Sequence, residues 1–219
     1  MWCIGRITEE YRQRMYDLIH LYHRPYQKEE PVVCLDEKSK QLLKNTRRPL
    51  PPKPGAPGKE DYEYERAGVC NLFVAVEPKG GRRVVEVTDR RTKPDFVAFV
   101  TELLGKVDRS ARLVHLVLDN LNTHFASCFD EVLGPEAAAG LLRRVEFHYT
   151  PKHASWLNMA EIEIGILDRQ CLNRRLADRA TMVSEVGAWQ QRRNAERRGL
   201  EWSFTRQDAD RKLGRHYVS

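Results

Sequence analysis

The spacing of apolar residues predicts one helix at the start of this chain and a group of strands after it. Residues 7–24 carry apolar side chains at helical intervals, whereas 31–36 is a short apolar run typical of a buried strand that ends at an acid. Two further strands are predicted over residues 69–76 and 82–88, and the glycine-containing segment between them is typical of a hairpin connection.

After the hairpin, the pattern changes to alternating helices and strands. The predicted elements are a helix over 94–107, a strand over 113–118, helices over 122–133 and 136–142, a strand over 145–149, and helices over 157–175 and 181–198. An antiparallel group of three strands followed by alternating strands and helices indicates the α/β class. We therefore expect a mixed sheet flanked by helices.

A proline-rich segment, residues 45–66, separates the first two predicted strands. Its residues 45–60 include five prolines and two glycines. Because proline donates no backbone hydrogen bond and has a fixed φ, neither a ladder nor a helix is expected there. The segment predicts an extended, semi-rigid arm, and a disordered loop is the alternative interpretation.

The composition fits a globular domain and excludes a membrane-spanning one. Hydrophobic residues make up 41% of the 219 residues and charged residues 31%, and no apolar run approaches the roughly 18 to 20 residues that span a bilayer. The acidic start differs from a secretory signal peptide. The five cysteines are scattered and form no CxxC pair, so neither a disulfide framework nor a structural zinc site is expected. A reducing, cytoplasmic setting fits best.

The net charge of +6 is concentrated at the C-terminal end. Residues 169–219 contain 12 Arg or Lys and 6 Asp or Glu, a net charge of 12 − 6 = +6, which equals that of the whole chain. Two interpretations stay open at this point. A solvated, arginine-rich helical surface is the more common one, and a surface that faces phosphate groups is the other.

Two of the predicted buried strands run directly into an aspartate, Asp36 and Asp119. If the strands are neighbours, both carboxylates lie at one edge of the sheet, where the active sites of such sheets are found. Two carboxylates so close repel each other unless a proton or a cation lies between them. Hard oxygen ligands of this kind suit magnesium or manganese.

A third acid is expected in the helix that follows the last strand. Glu161 lies in the first turns of that helix, after a loop that Pro151 helps to direct. Glu163 points away from Glu161 on a helix, and we expect it to lie on a solvated face and to tolerate substitution. Three carboxylates that hold two magnesium ions are a standard arrangement for cleavage and transfer of phosphodiesters.

The runs VVCLDE, LVLDNLNTHF and HYTPKHASWLNMAEIEIGIL resemble bacterial insertion-sequence transposases related to the mariner superfamily. The resemblance extends over nearly the whole chain and implies a DDE enzyme with an RNase H-like catalytic domain. It assigns the catalytic, metal-holding acids to Asp36, Asp119 and Glu161. It also implies two Mg²⁺ (or Mn²⁺) ions, and metal-dependent cleavage and strand transfer of double-stranded DNA.

Several polar side chains near these motifs are candidates for DNA binding or for positioning groups in the site. Asn120, His124 and His153 are candidate hydrogen-bonding neighbours of the acids or of a phosphate, and a purely structural role is an equal alternative for the histidines. The candidate phosphate contacts are Arg47, Arg48 and Lys53 of the arm, together with Lys152, Arg174 and Arg175.

The resemblance also implies partners and a domain division. The arm resembles a loop that reaches a partner subunit, which predicts a homodimer. Relatives carry N-terminal helix-turn-helix domains, so we expect a separately encoded N-terminal DNA-binding half and a bacterial, nucleoid-associated location. We predict an N-terminal helix and linker over 1–30, the catalytic domain over 31–199, and a basic tail over 200–219.

Two other interpretations of the same residues stay open. A truncated, catalytically idle fragment that binds DNA or dimerises would inhibit a full-length enzyme and would also retain the three acids. A resolvase-like or RNase H-like nuclease would share the fold and the metals, but it would not need the proline-rich arm.

Overall fold

The structure is a computed structural model that describes residues 5–106, 110–121 and 124–218, except for the side chain of Lys106. Its helices are α1 (Glu9–His23), α2 (Lys93–Lys106), α3 (Ser127–Leu133), α4 (Pro135–Leu142), α5 (Ala160–Leu167), α6 (Arg179–Glu196) and α7 (Arg206–Leu213). Its strands are β1 (Val32–Asn45), β2 (Tyr64–Glu77), β3 (Arg82–Thr88), β4 (Val114–Leu118) and β5 (Val145–Tyr149).

The five strands form one mixed sheet in the order β3-β2-β1-β4-β5. The strands β1, β2 and β3 are antiparallel neighbours, whereas β4 pairs in parallel with β1 and with β5. The predicted α/β class, with a five-stranded mixed sheet flanked by helices, is confirmed. β4 lies inside this sheet with every residue buried, which explains its continuous apolar sequence.

Helices cover both faces of the sheet. One face packs against α2, α3 and α4 through a core that includes Phe96, Val100 and Phe129. On the other face, α1 and α7 form one cluster, and α5 and α6 form a second around the buried Trp189. No helix in the described part of the chain is long and apolar enough to cross a membrane.

The first strand is longer than predicted, because it does not end at Asp36. β1 pairs with β4 only as far as Cys34 and with β2 as far as Asn45. Beyond Asp36 the strand lies outside the fully covered centre of the sheet, so polar side chains are tolerated and the apolar run stops. The apolar run in the sequence therefore indicates where the buried part of the strand ends, and not where the strand itself ends.

The proline-rich arm folds back on itself, which contradicts the expectation that no ladder forms there. Leu50 pairs with Lys59, and Lys53 pairs with Ala56, through reciprocal backbone hydrogen bonds. None of these four residues is a proline, so each retains the N–H group that the pairing needs, and the prolines limit the pairing without preventing it.

The helical pattern predicted over 157–175 is divided into several segments. A 3₁₀ turn occupies Ser155–Leu157, α5 begins at Ala160, and a π-helical turn follows over Asp168–Leu172. Helix α3 begins at Ser127, and the start predicted at residue 122 lies outside the described residues.

The C-terminal tail contains a helix that the pattern did not predict. In α7, the side chain of Thr205 accepts from the backbone of Asp208, whose carboxylate accepts in return, so the helix begins with a capping box. Its buried residues Ala209 and Leu213 pack in the same cluster as Met15 of α1. The helix was missed because it buries few apolar side chains. The division at residues 30 and 199 stays a prediction.

Candidate active site

Asp36 lies in a largely buried position on β1. Its carboxylate is 8% exposed, and Oδ1 accepts a hydrogen bond from the backbone N–H of Glu37 at 2.7 Å. Burial, together with the negative charges of Glu161 and Asp119, raises the pKa of Asp36 to about 7, against the hydrogen bond from Glu37. The site therefore disfavours the ionised form of Asp36 in the absence of a cation.

Asp119 follows the last residue of β4, as predicted. Because β1 and β4 are parallel neighbours with Cys34 opposite Val117, the residues two positions further along each strand, Asp36 and Asp119, come to the same edge. Glu161 lies in the first turn of α5, which packs against β1 and β2. The structure brings these three acids together, since the charges of the other two both act on Asp36.

His124 connects Asp119 to a further acid, Glu37. The imidazole is completely buried, with Nδ1 at 2.6 Å from Oδ1 of Asp119 and Nε2 at 3.0 Å from Oε1 of Glu37. Burial by itself lowers the pKa of His124, but the hydrogen bonds to the two carboxylates outweigh it and raise the pKa to about 9. His124 is therefore an imidazolium that donates to both acids, and Phe96 packs against its ring.

Two neighbours of the acids were not predicted as site residues. Glu37 has a nearly buried side chain that also lies 3.5 Å from the guanidinium of Arg91. Asn158 is fully buried; its Nδ2 donates to the carbonyl of Leu35 at 2.8 Å and lies 3.3 Å from Oδ2 of Asp36. The sequence offered only proximity as a signal for Glu37. Asn158 lies just before α5, and its Oδ1 accepts from the backbone N–H of Ala160 at 3.1 Å.

Glu163 does not lie on a solvated face, and the prediction for it was wrong. Its side chain is fully buried, and its two carboxylate oxygens accept from Arg83 at 2.7 Å and 3.3 Å. Arg193 of α6 lies 3.5 Å from the same carboxylate. The helix buries this face against β3 and α6, and the two arginines supply the opposite charge that the sequence of α5 alone does not show.

A family model described as DDE superfamily endonuclease matches residues 31–183, more than half of the chain. This chain belongs to the DDE superfamily endonucleases. The matched range contains all three acids, and the family predicted from the resemblance is confirmed. A search against curated proteins gave no significant match.

The fold of this DDE endonuclease is similar to that of several solved structures of the Mos1 mariner transposase. The paired-end complex with Mn has a TM-score of 0.55 at 15% identity, covering 90% of this chain and 61% of that one. The paired-end complex with Mg has a TM-score of 0.55 at 14% identity, covering 100% and 66%. The strand transfer complex has a TM-score of 0.50 at 16% identity, covering 90% and 63%. This chain therefore spans less than two thirds of the Mos1 chains, and these identities establish the RNase H-like fold alone.

The carboxylates of this DDE endonuclease fit a divalent cation. Asp36, Asp119 and Glu161 supply hard oxygen donors, which Mg²⁺ and Mn²⁺ prefer. The pKa of Asp36 is raised chiefly by burial, and the charges of Glu161 and Asp119 add to it because these carboxylates lie close by. A cation among the three acids would compensate these charges, whereas the imidazolium of His124 already lies on the outer side of Asp119.

The other predicted neighbours of the acids lie at the surface. Asn120 is exposed directly after Asp119, and His153 is exposed in the loop before α5, with a φ of 63°. Lys152 in the same loop is exposed. Their roles at the site stay predictions.

The predicted DNA-binding residues of the arm are exposed, whereas those near α5 are partly engaged within the chain. Arg47, Arg48 and Lys53 lie on the exposed arm, and Arg47 lies 3.3 Å from Asp61. Arg174 pairs with Glu185.

Arg175 is held at the base of the arm and is therefore engaged within the chain. Its guanidinium donates to Oδ1 of Asn45 at 2.8 Å and to the backbone carbonyls of Asp61 and Glu63 at 2.7 Å and 3.0 Å. It also lies over the ring of Tyr64. Arg175 thus connects the two ends of the arm to the turn that follows α5.

Proposed function

We propose that this protein is the catalytic domain of a DNA transposase, which cleaves DNA strands and joins them by means of Asp36, Asp119 and Glu161. The observation that carries the proposal is the convergence of these acids on one edge of the sheet, where two of them raise the pKa of the third. Such like-charge convergence costs stability, and it is characteristic of sites that bind a cation or share a proton.

The acids would hold two Mg²⁺ or Mn²⁺ ions. When bound, such ions activate a water or a 3′-hydroxyl for attack on phosphorus and stabilise the oxygen that leaves as the P–O bond breaks. The Mos1 structures with Mn and with Mg support this choice of metal.

The chain's own contribution is to orient the acids. The side-chain amide of Asn158 donates to the carboxylate of Asp36 and to a backbone carbonyl of the same strand. These hydrogen bonds fix the position of that carboxylate. The imidazolium of His124 holds one oxygen of Asp119 and leaves the other available. Pre-oriented ligands of this kind bind metal more tightly because less order must be imposed at binding.

The DNA substrate would be bound by the basic residues around this edge. Exposed cations on the arm and in the loop before α5, namely Arg47, Arg48, Lys53 and Lys152, would contact phosphates. Arg174 and Arg175 would add to this surface only after leaving their present partners. We further propose a homodimer and a separately encoded DNA-binding half; the paired-end and strand transfer complexes of Mos1 support a role in such an assembly.

The test is cleavage and joining of a labelled DNA duplex with Mg²⁺ or Mn²⁺. We expect activity in the wild type, and its loss in the variants Asp36→Asn, Asp119→Asn and Glu161→Gln with folding retained. Asp130→Asn is the matched control, because Asp130 is exposed on α3 away from the acids. Cleavage that persists in any of the three variants would overturn the site assignment.

A wild type that binds DNA in a salt-sensitive way but never cleaves it would support the idle-fragment interpretation instead. This outcome differs from a failed site assignment, since in that case the wild type and at least one of the three variants cleave. Adding the proposed DNA-binding half, once found, would separate an inactive fragment from a domain that lacks its partner.

A further inference from the structure

A second group of metal-ligating side chains lies on β4 and its neighbour β5 and does not include the three acids. His115 is on β4, and Glu146 and His148 are on the edge strand β5. Because His115 pairs in register with Glu146, and His148 follows two residues later, all three side chains point to the same face. This is the face that α1 covers, since Val117 of β4 packs in the α1 cluster.

The donor atoms of these residues converge at the spacing of metal ligands. Nδ1 of His115 lies 3.0 Å from Nε2 of His148 and 3.4 Å from Oε2 of Glu146, and Nε2 of His148 lies 3.7 Å from Oε1 of Glu146. Ligands about 2.0 to 2.1 Å from a tetrahedral zinc ion are separated by about 3.3 Å. Among the described residues, this is the one group of three such donors within 4.8 Å of one another.

The surroundings keep both imidazoles neutral, which is the form that binds metal. Burial lowers the pKa of His115 and of His148, against the nearby charge of Glu146. His115 is 4% exposed, whereas Glu146 is half exposed, so an ion approaching from solvent reaches the carboxylate first.

Arg24 at the end of α1 opposes the binding of an ion. Its guanidinium lies 2.9 Å from Nε2 of His115, and because arginine only donates, that nitrogen accepts and the proton of the ring is on Nδ1. An ion at Nδ1 displaces this proton. The neutral ring then carries a proton on Nε2, and Arg24 turns to Glu30, with which it already pairs at 3.0 Å.

We propose that His115, Glu146 and His148 bind one transition-metal ion, with zinc as the best match, at a site separate from the acid cluster. Two imidazoles and one carboxylate favour zinc or cobalt over magnesium, which prefers oxygen ligands alone. The ion would connect the edge strand β5 to β4, the strand that carries Asp119 at its end.

The test is a titration of the full chain with Co²⁺ in the presence of excess Mg²⁺. Binding is monitored by visible absorption, and Zn²⁺ is then added to displace the bound Co²⁺. Excess Mg²⁺ occupies the acid cluster, and Cys3, which lies outside the described residues, is replaced by serine in every sample to remove its thiol. We expect one Co²⁺ per chain with a tetrahedral spectrum, and a rise in Tm on addition of Zn²⁺.

Three substitutions and one control decide the assignment. Glu146→Gln and His148→Gln should each weaken Co²⁺ binding at least tenfold, and Glu146→Gln carries little risk to folding because the side chain is half exposed. Arg24→Gln should strengthen binding, since it removes the competing donor to His115. His20→Gln changes an exposed histidine of α1 and should have no effect.

Equal Co²⁺ affinity in the wild type and in Glu146→Gln and His148→Gln would overturn the proposal, as would a wild type without a tetrahedral spectrum. Neither result depends on DNA cleavage, so the metal site and the proposed transposase activity can each be disproved without affecting the other.

Discussion

The guanidinium of Arg83 donates to the carboxylate of Glu163 at 2.7 Å, and both side chains are completely buried. This ion pair joins β3 to α5 only two residues after Glu161. Arg193 approaches the same carboxylate from α6. The position of the helix that carries the third acid therefore depends on a buried pair of charges.

We expect Glu163→Gln to destabilise the fold, because it leaves Arg83 buried without its counter-charge. Breaking such a pair costs about 3 to 5 kcal/mol, which urea unfolding would detect. Glu185→Gln is the control: its partner Arg174 is half exposed, so the loss should be about 1 kcal/mol or less. Similar losses of unfolding free energy in the two variants would show that the buried pair contributes no more to stability than the exposed pair does.

Replacing His124 should impair cleavage without removing a metal ligand. In His124→Gln the carboxylates of Asp119 and Glu37 lose their shared imidazolium and turn away from their present orientations. Loss of an outer hydrogen-bonding partner typically costs about 10- to 100-fold in metal affinity or activity. The measurement is the cleavage rate as a function of Mg²⁺ concentration.

A positioning role for His124 predicts that high Mg²⁺ partly restores the rate of His124→Gln, which it does not do for Asp119→Asn. His20→Gln, which changes an exposed histidine, should behave as the wild type. A rate in His124→Gln that matches the wild type at every Mg²⁺ concentration would contradict this role.

The raised pKa of Asp36 makes stability depend on pH in the absence of metal. With a pKa of about 7 in the folded state and an ordinary value of about 3.9 in the unfolded state, the folded chain binds more protons between these values. The free energy of unfolding contributed by Asp36 therefore falls as pH rises from about 4 to about 7. Urea unfolding in EDTA at pH 5 and pH 8 measures this loss.

In Asp36→Asn the pH dependence should be smaller, because the neutral amide does not titrate. Added Mg²⁺ should stabilise the wild type more at pH 8 than at pH 5, since protons and the ion compete for the same carboxylate. An unchanged pH dependence in Asp36→Asn would show that another group is responsible.

Arg175 should hold the base of the arm closed. Arg175→Ala removes hydrogen bonds to Asn45 and to the carbonyls of Asp61 and Glu63. At about 1 kcal/mol for a single bond, the net loss of even one of them should raise the opened population about fivefold. Limited trypsin digestion after Arg47 or Lys59 reports this opening, since proline follows both Arg48 and Lys53 and blocks cleavage there.

The control for the arm is Arg192→Ala, which removes an exposed arginine of α6 and should leave the digestion rate unchanged. Equal digestion of the Arg175→Ala and Arg192→Ala variants would show that the arm is held by its own backbone pairing.

Local patterns predicted most elements well where burial is uniform. The bounds of β3 and β5 agree with the prediction to the residue, because each is a short run of strand-forming residues that ends near a turn residue or a proline. The second half of β1 was missed, since its polar side chains are tolerated only because β2 supplies the backbone partners. α7 was missed for a related reason: its stability comes from a capping box and from contact with α1.

The sequence by itself determined the α/β class and the family, and it singled out Asp36, Asp119 and Glu161 as candidate acids, because these depend on local runs and motifs that each segment carries alone. The tertiary structure decided what surrounds the acids. Glu37, His124 and Asn158 acquire their roles from partners distant in the chain. Glu163 is an ion-pair residue only because Arg83, 80 positions earlier, is folded against it. Hydrogen bonds and ion pairs between distant segments leave no periodic signal, so their partners become known only when the chain is folded.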